Sequence, residues 1–469
     1  MPLGLYLSVP FCRTKCSYCN FASDVFSRAR FEGYVNRVCA EIERAAETAE
    51  QMGGRFERDI DSVYLGGGTP TVLDGTQLRH LFVTISQNFR ILPGAETTVE
   101  CAPGTLSAAV IETLVSCGVN RVSLGVQSFV DREAAAVGRL HQRKTVEDDI
   151  RRLRDAGLPN LSVDLIAGLP HQSAASWEVS LAAAVDSGLP HVSVYMLEVD
   201  EDSRLGRELL AGGTRYHAHF VPDEDLTADL YDAACDRLEA AGVEQYEISN
   251  FARLGCQSRH NLKYWTRQPY LGFGVDAHSM LEAPGSETRS GSTERPVRWA
   301  RSAEIERSWT DGAAPGPTRQ GQDPSFLEAL GSRTGLSSAG QDSSDAIPGC
   351  ESPGFRRWAD ELDAVRFATP DSLDGYLASQ PLIRTPVAYP AAIEETFFLG
   401  LRLNQGVDLE KIAAKFGREG IGPFFATIRE FAESGLLECQ GEVIRLTPRG
   451  RLLSNDVFER FVSVAGGVG

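Results

Sequence analysis

The chain has 469 residues, is 42% hydrophobic and carries a formal charge of −18. That is enough chain for two or three domains with a sizeable core, and the acidic balance excludes a protein that tracks nucleic-acid phosphates. No apolar run reaches the length of a membrane helix, no basic n-region or small-residue cleavage site opens the sequence, and ten cysteines in so long a chain are too sparse for a disulfide scaffold; the expected setting is a reduced cytoplasm.

From residue 4 to about 198, short β-rich runs alternate with amphipathic segments. Strands are expected at Leu5–Val9, Ser62–Leu65, Thr97–Cys101, Arg121–Val126, Leu161–Ile166 and His191–Met196. Helices are expected over Phe31–Met52, Gly75–Phe89, Leu106–Cys117, Val146–Ala156 and Ala175–Ser187. Such alternation builds a parallel sheet with crossover helices. Glycine or polar residues close several strands: Gly66-Gly67-Gly68, Gly104, Gln127-Ser128 and Gly168-Leu169-Pro170. Polar groups gathered at one set of strand ends describe a barrel mouth. Six units fall short of a complete eight-fold barrel, so residues 1–200 are expected to form a partial (β/α)6 barrel of the TIM type.

Residues 201–282 connect this barrel to the rest through a helix at Leu226–Ala241, a strand-like Gln245–Ser249 and Asn250-Phe251-Ala252. Residues 283–363 are rich in Gly, Ser, Pro, Asp and Gln at their centre. That composition buries too little apolar surface to offset chain entropy, and the segment is expected to be a disordered insertion. Its ends are left open, because Val297–Ala300 and Val365–Ala368 each have the pattern of a resuming fold. Residues 364–469 then form a helical, winged-helix-like domain: helices at Glu394–Leu403, Glu410–Phe416 and Pro423–Ser434, a hairpin of Gly435–Cys439 with Val443–Leu446, and a last helix near Pro448. From Glu394 onward nine Lys/Arg stand against eleven Asp/Glu. That balance leaves no basic face for DNA, and a docking or lid role is expected.

The chemistry concentrates in Cys12-Arg13-Thr14-Lys15-Cys16-Ser17-Tyr18-Cys19, directly after the first strand. Three thiols in a C-x3-C-x2-C spacing suit an iron–sulfur cluster better than a structural zinc, which takes four protein ligands. A [4Fe–4S] cube held by three cysteines keeps one iron open to a small molecule. Buried small side chains that merely cluster are the plainer alternative. Gly66-Gly67-Gly68-Thr69-Pro70-Thr71 follows the second strand and bares its backbone to a close neighbour; alone, such a run also makes a tight turn.

Taken together, the cysteine loop and the glycine run resemble the radical S-adenosylmethionine (SAM) superfamily. The resemblance implies a [4Fe–4S] cluster on Cys12, Cys16 and Cys19, with SAM on the fourth iron and a 5′-deoxyadenosyl radical on reduction. It assigns Gly67, Gly68 and Thr69 to the methionine part of SAM, places Tyr18 beside the adenine, and adds Tyr6 on the first strand to the cofactor-binding set. Glu100, Gln127, Arg139 and Asp164 follow in order around the mouth. Carboxylates there can accept hydrogen bonds from ribose hydroxyls, and Arg139 can pair with a carboxylate of SAM or substrate. Each polar residue taken singly also suits a cap or a salt bridge.

The likeness is closer than superfamily level. Pro10-Phe11-Cys12, the Gly66–Thr71 run, Gly125-Val126-Gln127-Ser128-Phe129, Asp164-Leu165-Ile166-Ala167-Gly168-Leu169-Pro170, Gly400-Leu401-Arg402-Leu403 and Leu452-Leu453-Ser454-Asn455 resemble the oxygen-independent coproporphyrinogen III oxidase group. That group holds the decarboxylating oxidase and the radical-SAM haem chaperone HemW family. Three features favour the chaperone. Asn20-Phe21 follows Cys19, where the oxidase has a further cysteine two residues on; the oxidase's long N-terminal arm is missing; and His260-Asn261-Leu262-Lys263-Tyr264-Trp265 matches the H-N-x-x-Y-W signature associated with haem. Neutral histidine is a good axial ligand, and Tyr264 and Trp265 can pack on a porphyrin face. An ordinary hydrogen-bonded histidine is the alternative for His260, and His278 is a second ligand candidate. The resemblance thus implies haem carriage to an unidentified acceptor protein, with SAM gating transfer. It leaves open a peripheral contact with membrane-bound acceptors. The decarboxylating oxidase is the second reading; a DNA- or metal-binding regulator does not suit the charge count or the ordered strand-end residues.

Overall fold

Alternation of side chains along the parallel strands organises the sheet, one set apolar and the other mostly polar. The computed structural model describes residues 1–285 and 361–462, which belong to a single unit. The insertion expected over 283–363 falls almost wholly outside the described residues, as does Val297–Ala300. Among the described residues, β1 (Leu3–Val9), β2 (Asp59–Gly67), β3 (Arg90–Cys101), β4 (Arg121–Gln127), β5 (Leu161–Ala167) and β6 (His191–Met196) contain the six expected strands. They continue through β7 (Glu244–Glu247), β8 (Asn250–Ala252), β9 (Tyr270–Gly274), β10 (His278–Glu282), β11 (Leu362–Ala368) and β12 (Ile383–Ala388) into one sheet of order β12-β11-β10-β9-β1-β2-β3-β4-β5-β6-β8-β7. Strands β1 to β6 are parallel, and β9 joins them in parallel on the free side of β1. The result is a curved α/β sheet of the partial-barrel type, with both edges extended by antiparallel strands.

Successive residues of a strand point to opposite faces. Leu5, Leu7 and Val9 of β1, Val63 and Leu65 of β2, and Val163 and Leu165 of β5 share one buried core with Val38, Leu78, Leu81, Leu114, Leu153 and Trp177 of the crossover helices. Each such Leu or Val stabilises the fold by about 1.5–3 kcal/mol relative to exposure. The intervening residues, among them Tyr6, Tyr64, Glu100, Asp164 and Tyr195, are polar and face inward. Local signals hold the helices in place. The helix Gly75–Asn88, for instance, starts in a capping box: Asp74 accepts from the backbone of Thr76 and Gln77 while Gln77 accepts from Asp74 N–H. The expected Phe31–Met52 helix is two, Ala29–Glu43 and Ala45–Met52, meeting at Arg44.

Sequence reading overlooks β9, because Tyr-Leu-Gly-Phe-Gly has a low strand propensity. The structure shows why glycine is required there. Gly274 has φ +98°, and a Cβ on it would lie 2.4 Å from the Ser8 carbonyl oxygen, so only a bare backbone lets β9 pair with β1.

The C-terminal region packs helices Tyr389–Gly400, Leu409–Ile421, Phe425–Glu433, Pro448–Leu452 and Ser454–Val462 around a small antiparallel sheet of β13 (Val407–Asp408), β15 (Val443–Leu446) and β14 (Leu437–Gln440). The expected Pro423–Ser434 helix opens with a 3-10 turn at Gly422–Phe424. Phe397 stacks on Phe424 at 4.5 Å and on Phe461 at 5.3 Å to form the core. A buried charge seam ties this region to the sheet. Arg267 donates to Glu395 at 2.8 Å and to Asp363 at 3.0 Å, and Arg366 pairs with Glu395 at 2.8 Å. No helix among the described residues is long and apolar enough to cross a membrane.

Gly274→Ala is expected to destabilise the protein by about 2 kcal/mol or more, because backbone strain and a backbone clash combine. Gly242, also at positive φ but with nothing within 4 Å of its Cβ position, should cost only about 1 kcal/mol on the same change. Equal denaturation midpoints for the two variants would show that the close β1–β9 approach is not required.

Candidate functional site

The cysteine loop leaves β1 at its carboxyl end and is pinned at both ends. Phe11 stacks on Phe31 at 4.0 Å and meets Tyr34 edge-on at 5.0 Å. Cys12 N–H donates to the Asp24 carbonyl and Asp24 N–H to that of Pro10, each at 3.0 Å. Inside the loop, Lys15 Nζ donates to the carbonyls of Phe21 at 2.6 Å and Ser23 at 2.7 Å. Outward ties run from Arg13 to the Gly104 carbonyl at 3.0 Å, from Ser17 N–H to the Val137 carbonyl at 3.1 Å, and from Leu205 N–H to the Ser17 carbonyl at 2.8 Å. Cys16 is buried, while Cys12 and Cys19 are partly exposed. Burial pushes the Cys12 thiol up, and the neighbouring Cys19 and Cys16 add to the effect. No group of three or more His, Cys, Asp or Glu side chains among the described residues is gathered to hold a metal ion. What the loop offers is the donor type: three soft thiols on one short, tethered segment, which fits a multi-iron cluster.

The glycine run brings the end of β2 against this loop. Gly68 N–H donates to the Val9 carbonyl and Thr69 N–H to that of Phe11, each at 2.8 Å. A Cβ on Gly68 would lie 2.8 Å from both carbonyl oxygens, and Gly67 has φ +94°, so neither position admits a side chain without moving the loop. Thr69 Oγ1 points at Cys12 Sγ across 3.8 Å. Gly66 completes the approach, its Cβ position lying 3.0 Å from the Glu100 carboxyl.

Around this junction lie the other expected residues. Glu100 accepts a hydrogen bond from Tyr64 OH at 2.7 Å, and burial, with the nearby charge of Asp164 adding, pushes its carboxyl up to about 7. Asp164 accepts from Ser123 Oγ at 3.1 Å, and its pKa is also raised by burial. Gln127 ends β4 at φ +68°, where a register shift follows Gly125; a bulky residue held in the left-handed region is strained. Arg139 lies over Gly125, near enough to Tyr18, Cys16, Asp164 and Cys12 to feel their charges, and its buried Nε has no hydrogen-bond partner. A buried guanidinium with a spare N–H and two carboxylates nearby is a natural place for an anionic or zwitterionic ligand. Tyr18 packs against Val137, Ile166 and Leu169, giving the mouth one apolar wall. Tyr6 lies one layer down, its ring 6.1 Å from Tyr64 and 6.2 Å from His260.

His260 is placed elsewhere. The short helix Arg259–Trp265 closes the amino-terminal end of the strands: Lys263 Nζ reaches the Pro2 carbonyl at 3.0 Å and Asp61 at 2.8 Å. His260 is 1% exposed. Its Nδ1 pairs with Ser62 Oγ at 3.0 Å and its Nε2 with Tyr264 OH at 2.8 Å. Burial, with Lys263 nearby, pushes its pKa down to about 3, so it is neutral. Ser62 pairs with Gly4, five residues before Val9 on β1, which puts the floor roughly 17 Å below the strand end that feeds the cysteine loop. Trp265 lies under the Arg402 guanidinium at 4.2 Å. His278 is exposed at the start of β10, 3.7 Å from Asp276. The structure therefore gathers Cys12, Cys16, Cys19, Tyr18, Gly67, Gly68, Thr69, Glu100, Gln127, Arg139 and Asp164 at the mouth, with Tyr6 just beneath, and leaves His260 at the floor. Sequence reading missed Tyr64 and Tyr195 as inward residues; the signal was the every-second-residue pattern of β2 and β6.

Comparison with known proteins fits this geometry. The chain matches the Radical SAM superfamily over residues 6–184 and the HemN C-terminal domain over 390–453. "Heme chaperone HemW" of Bacillus subtilis is 30% identical over 459 residues, 97% of this chain and 98% of its own. The protein of the same name from Escherichia coli is 31% identical over 297 residues, 63% of this chain and 75% of its own. Among solved structures, coproporphyrinogen III oxidase (HemN) of Escherichia coli superposes with a TM-score of 0.69 over 98% of this chain and 90% of that one, at 19% identity, a likeness of fold. With a curved sheet that carries three thiols at its mouth and a relative aligned end to end, the chain belongs to the HemW family of the radical SAM superfamily.

Proposed function

We propose that this protein is a haem carrier built on a radical-SAM scaffold, which binds haem in the cytoplasm and passes it to an acceptor protein. The observation that carries this reading over an oxidase is Phe21. It stands where the oxidase has a further cysteine, and its carbonyl is held by Lys15, so the loop supplies three thiols and not four.

In this reading Cys12, Cys16 and Cys19 would hold a [4Fe–4S] cluster, and the residues at the strand ends would hold SAM. When bound, the pair supplies one-electron chemistry at the mouth. The residues of the chain have separate tasks there. Gly67, Gly68 and Thr69 offer bare backbone beside the methionine part, and Tyr18 with Ile166 and Leu169 forms an apolar wall for adenine. Arg139, with its spare Nε–H, would pair with the SAM carboxylate. Glu100 and Asp164 accept from ribose hydroxyls, Gln127 fixes the end of β4, and Tyr6 supports the layer beneath. His260 is proposed as a haem ligand. For that, Nε2 must exchange Tyr264 OH for iron, and the Arg259–Trp265 helix must move away from the floor. The acceptor is a protein, reached without nucleic acid.

Anaerobically reconstituted protein should bind haem stoichiometrically and form no protoporphyrinogen from coproporphyrinogen III, SAM and a reductant; turnover would establish the oxidase in its place. Cys16→Ala should lose the cluster's iron and visible absorbance. Arg139→Ala should keep its iron and weaken SAM binding by about tenfold or more, measured by calorimetry; unchanged affinity would remove Arg139 from the SAM site. His260→Ala should lower haem affinity, whereas a loss of stability with affinity intact would make the residue a structural member of the floor.

Glu100 adds a test without ligands. Its folded value of about 7 lies above the ordinary 4.5, so the folded chain keeps a proton that the unfolded chain has lost. Stability should therefore fall as pH rises from about 4.5 to 7 and level off above, by up to about 3 kcal/mol. Glu100→Gln should flatten that slope and be the more stable form at pH 8. Parallel curves for the two proteins would place Glu100 in water instead.

A further inference from the structure

One side chain touches both the mouth and the floor. Tyr64 stands midway along β2, beside Tyr6, its register partner on β1. Its hydroxyl donates to Glu100 Oε1 at 2.7 Å. Its ring stacks on that of His260, with centroids 5.3 Å apart and planes at 29°. The glycine run closes over the upper contact: a Cβ on Gly66 would lie 2.9 Å from the Tyr64 ring and 3.0 Å from the Glu100 carboxyl. The lower contact is held from the other side, because His260 Nδ1 pairs with Ser62 Oγ at 3.0 Å and Nε2 with Tyr264 OH at 2.8 Å. The Tyr6 ring lies 6.2 Å from the same imidazole. Burial, with Glu100 beside it, holds the Tyr64 hydroxyl well above its ordinary pKa, so it remains a donor at neutral pH.

We infer that Tyr64 is the positioning residue that links SAM at the mouth to haem affinity at His260. The inference rests on the haem-carrier reading and gives SAM a task other than turnover. Two arrangements of the floor are involved. In the one described above, His260 is stacked on Tyr64 and bonded to Ser62 and Tyr264. In the other, Nε2 is given to iron, the helix Arg259–Trp265 has moved away, and the Tyr64 ring has lost its neighbour. Glu100 sets how firmly Tyr64 is held in the first arrangement. In the chain without ligands, burial raises the Glu100 carboxyl to about 7; Tyr64 OH, Gly67 N–H and Arg139 work against that rise, and Asp164 adds to it. Roughly half of these carboxyls are therefore neutral at pH 7, and a neutral carboxyl is a weaker acceptor than a carboxylate. Ribose hydroxyls donating to Glu100 favour its charged form, which has lone pairs enough for Tyr64 and the ribose together. The Tyr64 hydroxyl is then bound more tightly, its ring is fixed where it packs on His260, and the closed floor is stabilised. SAM thus lowers haem affinity, and haem lowers SAM affinity by the same factor. For a carrier, that sign retains haem until SAM arrives and then favours its release.

The test is haem titration of the full, cluster-loaded chain with and without saturating SAM, followed by absorption, with the iron content of the cluster as the check of folding. SAM should weaken haem binding to the wild-type protein by about fivefold or more. Tyr64→Phe keeps the ring and removes the hydroxyl, so both ligands should still bind and the factor should fall to about one. Glu100→Gln, whose amide cannot ionise, should lower the factor in the same way and serves if Tyr64→Phe does not take up its cluster. Ser62→Ala frees His260 Nδ1 without touching Glu100; it should change haem affinity and keep the factor, which separates the link from a general loosening of the floor. A wild-type factor in Tyr64→Phe and Glu100→Gln, or wild-type haem affinity that SAM leaves unchanged or raises, overturns the link while leaving haem carriage intact. Wild-type protein that takes up no haem overturns both.

Discussion

The backbone of Gly67 and Gly68 lies against the end of β1 at a distance no side chain would permit, and the mouth is assembled from that contact. Two hydrogen bonds, to the carbonyls of Val9 and Phe11, turn the closeness into a fixed register between β2 and the cysteine loop. Everything placed later depends on it. Gly66 can then sit against the Glu100 carboxyl, and Thr69 can face Cys12. The loop itself is tied to the helical layer by Phe11 and to neighbouring strand ends by Arg13 and Ser17.

Alternation along the parallel strands then divides the interior into two levels with different energetics. At the lower level, Ser62, Glu96, Arg121, Ser162 and His191 are buried and bonded to one another or to the chain that closes the floor. Polar groups satisfied in this way make a rigid base. At the upper level, Tyr6, Tyr64, Glu100 and Asp164 keep partial exposure, and Arg139 Nε lacks a partner. An orphaned buried donor costs about 1–3 kcal/mol, and a left-handed Gln127 adds strain. Such costs collect where a fold is prepared for a ligand.

Much of this was legible in the chain. The six barrel strands stand out because β-branched and leucine residues recur between clear breaks, and the C-x3-C-x2-C loop announces its chemistry by spacing alone. Strand β9 did not stand out, since its glycines answer a packing need visible only in three dimensions. The inward tyrosines Tyr64 and Tyr195 were hidden because attention to strand ends passes over alternate positions in mid-strand. His260 belongs to a readable motif, yet only the fold shows that both its nitrogens are engaged.

One edge of the sheet has a consequence for how the chain is made. Strand β10 ends at Glu282, and its outer partner β11 begins at Leu362, with the intervening residues still to be synthesised when β10 leaves the ribosome. Arg267, already in place by then, finds its buried partners Asp363 and Glu395 only in the same late stretch. Until it arrives, the nascent barrel carries an open strand edge and an unpaired cation, both invitations to association with other chains. The barrel and its C-terminal cover are therefore one folding unit in time as well as in space, and the last fifth of the chain finishes what the first residues begin.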